Sequence, residues 1–520
     1  MRRSWLIYAV IYSFFLATLG YGEVRLATKE DLAVGNPDNT ITQDGHVGHY
    51  ISTQIVSPFA VDVRDMTTWS TDKAAAFASA LSGGNKTIVI PDGTWTIGGS
   101  TTWLSVEDNT TIIMGRNAVL NFTGDNTSYR YGFRIFGASH VTISGGTIKG
   151  NRSTQASGGG FGIVVSGGLT SGSRDILVEN VTAEDWRTDG FMIGGGVGAT
   201  DNVRVINCKA DNVGRSGLTI AGDTSNIYVD GFIGSNTNGF SPEAGMDLEP
   251  DLGYSATDIT IVNSRFFGNA GNGMYIQSGN GTTTKVTLRD NKAYSNGAYG
   301  ISIINIDYGL ADGNHAWQNV TAGMGIQSSA YWTITKNVLD NNPNANLEVN
   351  TLTDSIISEN TLSNSPDGDG AVIRVNSARV RFVKNNIRGN GAYGIDIANV
   401  TDSAFDENQV TTSVQAGITI GALLNNSSVS RNFLKDNRSA GSGSWDAIQT
   451  GDNTVLNTTI ASNIARGAHR YGLFLGPNCD NNIVMLNDFR DPALVSGSFY
   501  DGGTGTITGF DNAAIANFLN

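Results

Sequence analysis

The chain has 520 residues, enough by length alone for roughly two to four domains. Only 15% of the residues are charged, yet the net charge is −14, which excludes a nucleic-acid-binding face and disfavours bare contact with a polyanionic glycan. The 66 glycines point to many turns on a sparsely charged surface.

Residues 1–22 read as a secretory signal. Arg2 and Arg3 precede an uncharged run from Trp5 to Leu19, and Gly20-Tyr21-Gly22 offers a small-x-small cleavage site. An uncleaved membrane anchor is the rival reading, although the run is short for a spanning helix. Cleavage would leave a secreted protein with no membrane contact.

Residues 23–58 form a polar connector. Gly22-Glu-Val-Arg-Leu-Ala-Thr-Lys-Glu-Asp-Leu, followed by Gly35-Asn-Pro-Asp-Asn-Thr-Ile-Thr, resembles a short module of bacteriophage tail fibres and tailspikes, with Gln43 where proline is usual. The resemblance implies a phage-tail location, with the leader a miscalled start, and a homotrimer. It competes with the secretion signal, since virion proteins assemble without one.

Residues 59–98 resemble the entry segment of the pectate-lyase-like superfamily. Phe59-Ala-Val-Asp-Val-Arg-Asp is a first strand, and Thr87-Ile-Val-Ile-Pro-Asp-Gly-Thr-Trp-Thr-Ile matches the family's strand, turn and next strand. Between them lies an Ala-rich helix, with Ser70 or Thr71 as N-cap, Asp72 in its first turn and Gly83 as stop. This helix is expected to cap the open edge of the first coil. The family's usual Gly-Asp-Gly before the helix is missing.

From residue 131 onward a short pattern recurs: Gly, an apolar residue, one free position, a second apolar residue. Asn296-Gly-Ala-Tyr-Gly-Ile-Ser-Ile and Asn390-Gly-Ala-Tyr-Gly-Ile-Asp-Ile are near copies. The first apolar position falls at 133, 163, 191, 218, 246, 274, 301, 324, 347, 373, 395, 418, 448 and 473, always 22 to 30 residues apart. Period-2 alternation means a strand with one buried face, and a sustained period in the twenties means a solenoid. A second strand follows in each repeat, as in Asn202-Val-Arg-Val-Ile-Asn-Cys. It is closed by Asn180, Asn207, Asn263, Asn337, Asn360, Asn385 or Asn408, which tolerate left-handed backbone and can bond across the bend. No helix separates the strands. The expected fold is all-β, a right-handed parallel β-helix over 59–490, with 491–520 as a C-terminal cap or oligomer contact. The hand follows from the family resemblance and the crossover rule. Cys208 and Cys479 lie ten repeats apart, about 48 Å at strand spacing, so they are expected as separate buried thiols.

If Phe191, Leu218, Met246, Met274 and Ile301 point inward, two outward columns follow: Met192, Thr219, Asp247, Tyr275, Ser302 and Gly194, Ala221, Glu249, Gln277, Ile304. Asp247 and Glu249 then share one face, roughly 6.5–7 Å apart at Cα. An outward acid is ordinarily solvated surface, as Glu348 and Asp396 are expected to be. No other repeat carries acids at both outward positions.

Paired carboxylates suit glycoside hydrolysis, one protonated and one ionised, with no cofactor. Trp186, Asp189, Tyr254, Tyr275 and Gln277 are the expected sugar-binding residues beside them. An alternative is a Ca²⁺ site of Asp247, Glu249 and Asp251. The superfamily resemblance then implies a lyase or epimerase with Arg187 or Arg215 as base. The polygalacturonase pattern and the Asp-Pro-His-Glu of mannuronan epimerases are absent. A third reading is a non-catalytic glycan-binding tailspike or adhesin. The expected partner throughout is a polysaccharide. A fallback groove runs along Tyr299, Asp307, Tyr308, Trp317 and Trp332. His140, His315 and His469 show no ligand spacing.

Overall fold

A computed structural model of the chain describes residues 60–66, 69, 72–98, 103–123, 129–437, 445–467, 469–490 and 494–509. The leader and the 23–58 connector lie outside the described residues. Every strand ladder is parallel, and each strand pairs with its counterpart one repeat later. Phe191 pairs with Leu218, Leu218 with Met246, Met246 with Met274 and Met274 with Ile301. These five side chains are buried, as the alternation requires. The chain is a parallel β-helix.

Most coils up to residue 317 have three strands rather than two. Ser216–Ile220, Thr224–Asp230 and Ile233–Ser235 make one coil; Ala244–Leu248, Ser255–Val262 and Arg265–Phe267 make the next. Among the described residues, the first and second strands run into one 36-stranded sheet, and the third strands form a separate 15-stranded sheet. From Thr147 onward a third strand has three residues, and its central inward side chain is often small, as at Ala183, Ala210, Ala293 and Ala316. One small inward residue gives no alternation to read.

The asparagines after the second strand divide into two positions, one residue apart. Asn180, Asn207 and Asn263 have positive φ (57°, 51° and 52°), as expected for the corner. In the later coils the left-handed residue is instead Lys336, Glu359, Lys384 or Glu407, and Asn337, Asn360, Asn385 and Asn408 come next, fully inside. Each stacks on its neighbour: Asn360 Nδ2 donates to Asn385 Oδ1 (2.9 Å) and to Ile334 O (3.0 Å), while its own Oδ1 accepts from Asn337 N and Nδ2. The ladder runs from Asn291 through Asn314, Asn337, Asn360, Asn385, Asn408, Asn432 and Asn463 to Asn487. It satisfies, coil after coil, the backbone groups that a corner would otherwise bury unpaired.

At the N-terminal end, Ala60–Asp62 pairs with Lys86–Ile90, which pairs with Thr110–Met114. The helix between them is Lys73–Leu81. Its N-cap is Asp72, whose side chain accepts from Ala75 N, rather than Ser70 or Thr71. Placing the acid at the cap frees Lys73 for the first turn, and the helix stops at Ser82, one residue before Gly83. Phe77 and Leu81 join the core. Beyond 490 the winding continues: Leu494–Asp501 pairs with His469–Leu475, and Ile507–Thr508 with Ile483–Val484. Cys208 and Cys479 are free and buried. No helix among the described residues is long and apolar enough to cross a membrane.

Candidate active site

The coils that contain Asp189, Arg215 and Asp247 are consecutive, and their first strands stack in register. Thr219 therefore lies beside Asp247 on the outer face, and Tyr275 follows on the next strand. Arg215 stands immediately before its strand, so its side chain reaches back to one coil and forward to the next. It makes three ion pairs: Nη1 with Asp189 Oδ2 (3.3 Å), Nη2 with Asp247 Oδ2 (3.2 Å), and Nη2 with Glu249 Oε1. Thr219 Oγ1 donates to Asp189 Oδ2 (3.1 Å), and Ser216 N donates to Asp189 Oδ1 (3.1 Å). Gln277 Nε2 donates to Glu249 Oε2 (3.4 Å).

The three carboxylates differ in exposure. Asp247 and Asp189 are 0% and 1% exposed at the side chain, Glu249 is 29% exposed, and the Arg215 side chain 23%. Asp247 Oδ1 is buried without a hydrogen-bond partner. Burial pushes the Asp247 carboxyl up to about 7; the Arg215 charge pulls against it, and the neighbouring Asp189 charge adds to it. Burial likewise takes Asp189 to about 6, against Arg215 and its hydrogen bonds. A carboxyl buried beside a second acid holds its proton close to neutrality.

Several expected site residues stand elsewhere. Trp186 is a core residue, 0% exposed, its indole Nε1 donating to Ile148 O (3.0 Å); it offers no face to a sugar. Asp189 lies beneath Arg215 rather than at the surface. Arg187 turns to the neighbouring loop, where Nε donates to Gln155 O (3.1 Å) and Nη1 to Gly158 O, and its guanidinium lies over the Phe240 ring at 4.6 Å. Tyr254 sits in the turn leading to the second strand, and its hydrogen bonds do not reach the cluster. Tyr275 and Gln277 are half-buried on the strand next to Asp247 and Glu249, as the register requires. Asp251 is exposed beyond Pro250 and takes no part in the ion pairs. Among the described residues, no group of three or more His, Cys, Asp and Glu side chains is arranged to hold a metal ion. The cation these carboxylates face is the Arg215 guanidinium, so the trio expected for Ca²⁺ does not fit one.

Residues of the fallback groove are dispersed. Trp332 is in the core, Tyr308 stacks with Tyr331 on the second-strand face, and Trp317 stacks with Tyr294 on the third-strand face. Glu348 and Asp396, expected as solvated acids, have partners. Tyr299 Oη donates to Glu348 (2.9 Å), and Asp396, 6% exposed, pairs with Arg374. The sequence also gave no notice of Asp446 and Arg470, a buried acid with a guanidinium 2.8 Å away. Matching the Asp189 position along each first strand would have found it.

The description of the right-handed β-helix region matches residues 131–307, 252–374 and 369–519, well over half the chain. The chain belongs to the right-handed β-helix family. No curated protein matches it by sequence. Among solved structures, this β-helix is similar to pre-mature gene product 12 of bacteriophage phi29 (TM-score 0.54, 14% identity, 83% of this chain and 69% of that one). It is also similar to a tailspike protein mutant of E. coli bacteriophage HK620 in complex with pentasaccharide (TM-score 0.51, 14% identity, 86% of this chain and 80% of that one). At these identities the likeness establishes the fold.

Proposed function

We propose that this β-helix degrades a polysaccharide by hydrolysis at the Asp247–Glu249 pair, outside the cell or on a phage tail. One observation carries the reading: Asp247 is a buried carboxyl with an unpartnered oxygen that holds its proton close to neutral pH, next to the surface carboxylate of Glu249. Glycoside hydrolysis needs one protonated and one ionised carboxyl. Asp247 gives its proton to the glycosidic oxygen as the bond to the anomeric carbon breaks. Glu249 meets that carbon, directly or through the water whose oxygen ends up there. Asp247 is closed off in the free protein, so the bound sugar displaces the Arg215 side chain to reach it. The pentasaccharide on the HK620 tailspike, which shares the fold, supports a glycan as occupant.

Elimination draws less support. Arg187 is spent on backbone carbonyls and Arg215 on three carboxylates, which leaves neither placed to take a proton from a uronate. The test is Asp247→Asn and Glu249→Gln, each of which should lower reducing-end release by several orders of magnitude while circular dichroism stays that of the wild type. A chelator should leave the wild type unaffected. Full activity in both variants moves the site elsewhere on the helix.

A further inference from the structure

The charges around the pair specify more than the bond type. Three carboxylates converge on one guanidinium, so the acids of the cluster outnumber its cation whether or not Arg215 moves aside for a sugar. The first strands at 189–193, 216–220, 244–248, 274–277 and 301–304 contain neither Lys nor Arg. Asp251, exposed two residues past Glu249, adds a further negative charge. Asp247 Oδ1, buried and without a partner, is a polar atom left for a ligand to hydrogen-bond. The other groups at the opening are the Gln277 amide and the Tyr275 ring, one a hydrogen-bonding group and the other an apolar plane.

We infer that the sugar unit held across Asp247 and Glu249 is uncharged, a hydroxyl- or acetamido-bearing pyranose rather than a uronate or other acidic sugar. This rests on the hydrolase reading above. A sugar hydroxyl, which both donates and accepts, satisfies the orphaned Asp247 oxygen in either protonation state; a sugar carboxylate meets a cluster whose acids outnumber its one cation. One uncompensated unit charge within about 6 Å, at an effective dielectric of about 20, weakens binding about a hundredfold. Acidic units elsewhere along the same glycan are compatible with the inference, since the half-buried Arg134 lies on the same face four coils away.

The experiment uses the full-length wild-type protein against neutral polysaccharides (dextran, mannan, galactan and an N-acetylated heteropolysaccharide) and uronans (polygalacturonate, alginate). Reducing ends and absorbance near 235 nm are both read, and retention of oligosaccharides from each polymer on immobilised protein is measured at low and high salt. Release of reducing ends from a neutral polymer, with binding about a hundredfold tighter than to any uronan and insensitive to salt, is the expected result. Unsaturated products from a uronan overturn the inference and leave polysaccharide degradation standing, whereas retention confined to uronates and lost in salt, without cleavage, overturns the inference and the hydrolase together. Retention of neutral oligosaccharides without cleavage upholds the uncharged ligand and defeats the hydrolase. Neither binding nor cleavage across the panel defeats both.

Discussion

Arg470 Nη2 lies 2.8 Å from Asp446 Oδ2, while the other carboxylate oxygen, Oδ1, accepts from the backbone N–H of Tyr471. Arg215 and Asp189 repeat that geometry, with Ser216 N as donor. Both acids stand two residues before an inward residue of a first strand, Phe191 or Ile448, and both arginines come one residue before the position in register with the acid on the next coil. An Asp–Arg pair at this position is therefore a way of closing a coil. What sets the earlier pair apart is that Arg215 also holds Asp247 and Glu249.

Arg470→Ala should cost about 3 kcal/mol of stability, because it leaves the buried Asp446 carboxylate uncompensated, and should not change turnover. Arg215→Ala should abolish turnover and raise the Asp247 carboxyl further, since Arg215 is the charge that opposes its rise. Denaturation midpoints and reducing-end assays on the two variants separate a coil-closing pair from a site residue.

Stability should fall as the pH rises from about 4 to about 7. The folded chain keeps protons on Asp189 to about 6 and Asp247 to about 7, while in the unfolded chain both release them near the ordinary 3.8. Over that window the folded state binds more protons, so each step up in pH favours unfolding. Asp247→Asn removes its share. Its thermal midpoint should change less between pH 4 and 7.5 than the wild type's, measured by calorimetry in matched buffers.

Ile276 is fully buried and its neighbour Gln277 faces outward beside Glu249. Ile276→Asp should lose about 4 kcal/mol or more and give insoluble protein, while Gln277→Asp should fold and lose only activity. Equal damage to solubility at both positions would contradict the register.

Adjacent corner positions should respond with opposite signs. Asn360→Ala leaves Asn337 N and Ile334 O without partners inside the protein and should cost about 2–5 kcal/mol. Leu486 has φ 58° and is 53% exposed, so Leu486→Asn should gain about 0.5–1 kcal/mol. Urea midpoints of the two variants check both signs.

The solenoid was legible because its signal is local and repeated. One Gly–apolar–x–apolar unit, met many times, fixes the first strand, its inward column and hence the facing of Asp247 and Glu249. Exposure was not legible. Asp247 and Glu249 look equivalent in the alternation, but coverage depends on Arg215 and Tyr275, which arrive from other coils. Trp186 misled for the same reason: an aromatic in the turn before a strand folds into the core when a carbonyl such as Ile148 O can take its indole proton. The Asn corners misled by one residue, since Asn suits both the left-handed position and the buried amide position beside it.

The asparagine ladder also divides the molecule by purpose. It starts at Asn291, after the coils that carry Arg215, Asp247 and Glu249, and coincides with a drop in coil length from 27 or 28 residues to 23 at several steps. The earlier coils spend their extra residues on the loops around the carboxylates. The later ones share one device, the same internal amide, and each adds about 4.8 Å along the axis. They work as a ruler: gaining or losing a whole coil there resets how far the carboxylates stand from the C-terminal end, in fixed steps, without moving an atom of the chemistry.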